Sequence, residues 1–320
     1  MVTPLSLPTA ASRSSMSTRA VLALLVVTAI WGSTFFMLKD VITRTPVMDF
    51  LAVRFLIATL VLWAIRPMSV ARLTKAERWQ GLALGLFCGL AQLLQGIGLQ
   101  TTSAAVSGFV TGMYVVLTPV LGALVLGMRL TKAVWAAVAL STVGLGLLSL
   151  QGLSIGPGEA LTLLGAVFLA GQILGLGRWS SSRNAYGLAV IQLAVITVVC
   201  AIGAAPGGIT LPSTRGDWVV LMYMALAAGA ATFVVQSWAQ AHIPPTRAAI
   251  VMTMEPVWAA VFAVAFGGEV LGPRAAIGGL LVVAAMYVVE LGPRRRRTRA
   301  ATLSTPTAGP PSQSEAAVTT

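Results

Sequence analysis

Charge is what this chain has least of. Asp, Glu, Lys and Arg make up 9% of its 320 residues, against roughly a quarter in a soluble domain. Acids are the scarcer sign, nine against 21 basic residues, leaving a formal net charge of +12. There is one histidine, His242, and the two cysteines, Cys88 and Cys200, lack CxxC spacing. Neither a disulfide framework nor a metal site is expected from these, and no cofactor is implied. No GxxxxGK[ST] stretch occurs, and Lys39, Lys75 and Lys132 sit outside any such setting. ATP hydrolysis by a P-loop is therefore excluded. An integral-membrane enzyme would gather His, Asp or Cys at the membrane face, and no such cluster or carboxylate pair is visible. That class, together with a channel or receptor without a transport cycle, is kept as the alternative.

Hydrophobic residues make up 57% of the chain. Residues 79–128, 184–214 and 275–289 contain no Asp, Glu, Lys, Arg or His, and a membrane helix needs roughly 20 apolar residues. An all-α polytopic membrane protein is expected, with the lipid bilayer as its first partner. Ten spans fit: 20–38, 46–66, 79–98, 105–127, 132–150, 158–176, 187–206, 218–239, 247–267 and 273–291. Residues 1–19 read as a cytoplasmic N-terminal tail, because the run after them is too long for a cleaved signal. Residues 292–320, basic and then Pro/Ser/Thr/Ala-rich, read as a disordered cytoplasmic tail.

The basic residues orient these spans. One set of loops and tails holds Arg13, Arg19, Arg66, Arg72, Lys75, Arg78, Arg129, Lys132, Arg178, Arg183, Arg247 and five tail arginines, sixteen in all. The opposite loops hold four: Lys39, Arg44, Arg215 and Arg274. Positive charge stays inside, so both termini are expected in the cytoplasm, within a cell membrane. The same argument explains the high net charge without nucleic acid, which is not expected as a partner. Trp79, Trp135, Trp179, Trp218 and Tyr186 fall at span ends, where aromatic belts form.

Ten spans divide into two fives, and an odd number inverts the second half. Two prolines lie well inside spans, Pro119 in the fourth and Pro256 in the ninth, within "TPV" and "EPV". Proline-interrupted spans at corresponding positions of inverted halves point to a central transport site. Gly81, Gly85 and Gly89 share one helix face at four-residue spacing, which permits close helix approach in lipid.

Four stretches together resemble one known family, the EamA-type transporters of the drug/metabolite transporter superfamily. They are "AIWGSTFFMLK" (29–39), "LAVRFLIATLVL" (51–62), the segment 94–126, and 237–291 with its Glu255-Pro256 pair and Glu269. One departure is Met128 in "LGMRL", where the first repeat of that family often has a Glu-Arg pair. The resemblance implies ten helices as two inverted five-helix repeats, residues 20–150 and 158–291. It also implies secondary transport of small metabolites or drugs, often export, by alternating access.

Few residues inside the spans can carry chemistry. Glu255 lies near the middle of the ninth, where a carboxylate costs roughly 2.5–3.5 kcal/mol on insertion scales. It should face protein or a water-filled cavity. One reading makes it a hydrogen-bond acceptor tying the proline-broken helix to a neighbour. The other makes it a substrate or proton contact, with the proton as coupling ion. Arg54, deep in the second span, needs a partner. Glu255 is the obvious acid, and recognition of an anionic or zwitterionic small-molecule substrate is the sharper alternative. Trp31 and Trp258, mid-span, are candidate cavity walls or packing residues. Gln92 and Gln236, with Gln95, Gln172 and Gln192, suit hydrogen bonds to a substrate or a neighbouring helix. Glu269 is expected to cap the last helix, and Glu290 to serve as an anchor at the inner interface.

Overall fold

The structure, a computed structural model, describes residues 10–127, 132–151, 154–243, 248 and 251–291. The expected tail 292–320, the Met128 departure and Arg247 lie outside them, as does the side chain of Glu290. The described residues are almost all helical, with one two-residue antiparallel pair, β1 (Leu150–Gln151) with β2 (Ser154–Ile155). That pair joins the two halves.

The first half holds α1 (Ala10–Val41), α2 (Val47–Ile65), α3 (Lys75–Leu99), α4 (Ala104–Gly112), α5 (Tyr114–Leu126) and α6 (Lys132–Ser149). The second holds α7 (Pro157–Trp179), α8 (Ala185–Ala204), α9 (Arg215–Ala225), α10 (Thr232–Gln240), α11 (Met254–Ala265) and α12 (Pro273–Leu291). Among the described residues seven helices are long and apolar enough to cross a membrane. Shorter apolar helices lie at Trp135–Gly144, Met254–Ala265 and Pro273–Ala285. The first helix begins at Ala10, inside the segment read as a tail.

Local chemistry sets the helix ends. Thr74 and Glu77 form a reciprocal capping box at the start of α3, satisfying two amides that the helix itself cannot. Ser103 and Thr214 cap α4 and α9 in the simpler way. The α3–α8 interface depends on small residues. A Cβ added at Gly85 would lie 2.7 Å from Val195 Cβ and 3.0 Å from the Gln192 backbone. Gly81 and Gly89 meet Ile191 and Val199 of the same helix. Where lipid offers no hydrophobic drive between helices, such close backbone approach is what holds them together.

Loop contacts sort the bundle into two ends. At one, Arg183 pairs with Glu77 at 2.6 Å, Asn184 donates to the same carboxylate, and Ser182 meets His242. At the other, Arg44 bridges Asp40 and Asp217, each at 2.6 Å. Those two carboxylates raise the Arg44 guanidinium above its ordinary value, Asp40 contributing first. Lys39 Nζ donates to the Leu99, Gln100 and Thr102 carbonyls there. In the same region Glu269 departs from expectation. Its carboxylate accepts from the amides of Ala104 (2.6 Å) and Ala105 (3.1 Å), so it caps α4 rather than the last helix. The α4 N-terminus offers orphan donors and a positive dipole end to whichever carboxylate the fold brings near.

Candidate functional site

Breaks in the helical ladder place polar groups at the bundle centre. The fourth span divides at Met113, six residues before Pro119, where bonding tightens from Val110 O to Met113 N and from Met113 O to Val116 N. The helix gives way beside Gly112, the residue with least to hold a turn together, and α5 runs on through Pro119. The second break, at Thr253, stands directly before α11. Here the proline is the cause. Pro256 has no N–H for the carbonyl four residues back, Met252.

The helical run Arg215–Gln240 is interrupted differently. Between α9 and α10, Leu226–Ala231 winds as a π-helix. Such a wide turn disturbs the ladder and leaves carbonyls available to outside donors. Two side chains bond carbonyls here, Trp31 at one inside the π segment and Arg54 at one two residues before it. Arg54 Nε donates to Met224 O at 3.1 Å. Trp31 Nε1 donates to Ala228 O at 3.1 Å and to Thr232 Oγ1 at 3.0 Å.

Around these breaks lies a cavity lined by both polar and apolar side chains. Five of the six sequence candidates line it: Glu255, Arg54, Trp31, Gln92 and Gln236. Trp258 does not. It faces α1, where its Cβ stands so near Gly32 that a Cβ there would lie 2.5 Å away, and its ring stacks on Phe262 at 5.9 Å. The closeness of α1 and α11 takes up that face of the helix.

The expected pairing of Arg54 with Glu255 is not made. The ion pairs of the described residues are Arg44 with Asp40 and Asp217, and Arg183 with Glu77, all at the bundle ends. Arg54, 4% exposed, has the Met224 carbonyl and the ring of Phe55, 4.7 Å from its guanidinium carbon. Glu255, 6% exposed, accepts from Tyr114 Oη at 2.9 Å. The same phenol stands 3.1 Å from Met252 O, the carbonyl that Pro256 leaves without a donor. A guanidinium and a carboxyl thus share one low-dielectric space without neutralising each other, where an electrostatic contact to a third group is stronger than in water.

The glutamines divide into two kinds. Gln95 donates to Thr111 Oγ1, and Gln172 donates to Gln192 Oε1, each at 2.9 Å. These are ties between helices. Gln92 and Gln236 make no hydrogen bond among the described residues, although Gln236 is 2% exposed and lines the cavity. Buried amides normally find partners, so both are available to an occupant. No group of three or more His, Cys, Asp or Glu among the described residues could hold a metal ion, and both cysteines are free.

Sequence reading passed over Tyr114. Its position was the available signal: a phenol in mid-span, away from the aromatic belts, must find a partner when buried.

The fold and cavity are those of a multi-pass helical membrane protein with a polar centre. The EamA-like transporter family profile matches residues 18–150 and 156–291. An uncharacterized transporter from Archaeoglobus fulgidus is 31% identical over 278 residues, 84% of this chain and 85% of that one. A probable terminal-alkyne amino-acid exporter from Streptantibioticus cattleyicolor is 30% identical over 104 residues, 31% of this chain and 35% of that one. A protein of known crystal structure superposes with a TM-score of 0.63 at 19% identity, over 86% of this chain and 97% of the other. The chain belongs to the EamA-like transporter family and is a membrane transporter.

Proposed function

We propose that the protein is a secondary transporter that exports a small anionic or zwitterionic molecule by alternating access, coupled to proton entry at Glu255. The carrying observation is the buried, acid-free guanidinium of Arg54 lining a cavity whose carboxyl, Glu255, lies apart from it. Arg54 would take the anionic group of the substrate, since a guanidinium forks onto a carboxylate with two parallel bonds. Gln92 and Gln236 would orient the remainder. Glu255 would carry the proton, because a desolvated carboxyl is easier to hold neutral than charged.

The three shorter apolar helices would add crossings to the seven long ones, for ten as two inverted fives. Alternating access would then be the rocking of one repeat against the other around this cavity. The basic loops and tails put both termini in the cytoplasm. Alkaline phosphatase fused after residue 292 should be inactive, and activity there would reverse the orientation. The amino-acid exporter among the relatives suits a zwitterionic cargo and outward direction.

Counterflow into liposomes tests the cargo class, with amino acids and simple carboxylates as labelled probes. At least one should enter saturably. Arg54→Gln should raise its half-saturating concentration about 30-fold or more, the loss of one buried charged contact, and Arg54→Lys should recover part of it. No saturable probe, or an Arg54→Gln variant equal to wild type, would remove Arg54 from recognition.

A further inference from the structure

One phenol faces two acceptors. Tyr114 Oη lies 3.1 Å from Met252 O and 2.9 Å from Glu255 Oε2, in a position 1% exposed. A tyrosine has a single O–H, and an ionised carboxylate and a carbonyl can only accept. With Glu255 ionised, both neighbours compete for that hydrogen, and a buried oxygen is left unmet. With Glu255 protonated there are two hydrogens for two contacts. The carboxyl O–H donates to the Tyr114 oxygen, and the Tyr114 O–H donates to Met252 O.

What makes this more than a local tie is where Met252 sits. Its carbonyl has no helical donor, because Pro256 stands four residues on, and Thr253, the next residue, is the break itself. Tyr114 is the first residue of α5, immediately after the Met113 break in the other half. The phenol therefore bridges the helix breaks of both halves of the molecule.

We propose that Tyr114 is a positioning residue that reads proton occupancy of Glu255 and transmits it to the ninth-span break. When Glu255 is protonated, Tyr114 clamps the Met252 carbonyl. When Glu255 is ionised, the phenol turns to the carboxylate and the break loosens. This rests on the reading of Glu255 as the proton site. Of the elements around it, α2 presents Arg54 to the same cavity and α3 presents Cys88, while α1, α7 and α10 present Trp31, Gln172 and Gln236, which do not titrate.

The test is hydrogen–deuterium exchange of the segment 251–262 in lipid nanodiscs across a pH series, corrected for intrinsic rates. Wild type should be protected at low pH and exchange roughly fivefold faster at high pH, the net contribution of one hydrogen bond. Glu255→Gln, whose amide donates to Tyr114 permanently, should stay protected at every pH. Tyr114→Phe should be fast at every pH. A wild type without pH response, a Tyr114→Phe variant that keeps it, or a Glu255→Gln variant as fast as Tyr114→Phe would each overturn the clamp. Should Tyr114→Phe not fold, wild type against Glu255→Gln decides. Counterflow on the same preparations separates the two ideas. Exchange that responds to pH without any counterflow leaves the clamp and removes the anionic or zwitterionic cargo reading. Counterflow with pH-independent exchange does the reverse.

Discussion

The helix Lys75–Leu99 of the first half and the helical run Arg215–Gln240 of the second are built differently. The first, α3, is one unbroken helix from Lys75 to Leu99, with a glycine face against α8 and a capping box at its start. The run Arg215–Gln240 reaches similar length only as α9, a π segment and α10. The first is a packing element, stiff because its contacts are backbone-close. The second spends part of its ladder on neighbours, giving carbonyls to Arg54 and Trp31. The helix breaks at Met113 and Thr253 repeat the lesson, with a glycine-side break before α5 and a proline-side break before α11. Both halves line the cavity with polar groups, Arg54, Trp31, Gln92 and Tyr114 from the first and Gln172, Gln236 and Glu255 from the second.

This contrast can be broken by substitution. The largest stability effect should come from filling the packing side. Gly85→Leu drives a side chain into Val195 and the Gln192 backbone, and overpacking of this kind costs about 1–3 kcal/mol or more. A thermal unfolding midpoint in detergent equal to wild type would show that α3 and α8 are not held by close approach. A smaller loss is expected from Glu269→Gln, which weakens a charged cap on α4 by roughly 0.5–2 kcal/mol. Its signature should be local, with faster hydrogen exchange at 104–107 and little change in α3. The smallest should be Trp258→Phe. Trp258 Nε1 is buried without a partner, so its removal should leave stability within about 0.5 kcal/mol and substrate affinity unchanged. A loss of affinity there would return Trp258 to the cavity wall.

How much of this could be read from residues alone differs by kind. The long apolar helices were legible because the bilayer demands apolar length. Glu255 and Arg54 stood out because charge inside a span must go somewhere. Which way a helix faces was much harder. Beyond Glu255 the α11 segment is apolar all round, so no stripe shows whether Trp258, three residues on, faces the cavity or α1, and the structure turns it to α1. The Glu269 cap joins residues 165 apart in the chain, a contact that no local spacing reports. The π segment lies in "LAAGAA", small residues that accept several windings and announce none.

The central claim is that Glu255 carries the coupling proton, and the Gln variant tests it most directly. Glu255→Gln keeps shape and hydrogen bonding while removing the titratable charge. Reconstituted in liposomes with a saturable probe, it should exchange that probe down its own gradient at a rate near wild type. It should lose the accumulation that an imposed pH gradient drives in wild type. Full pH-driven accumulation by Glu255→Gln would contradict the account and leave Glu255 as a tie between the broken helices.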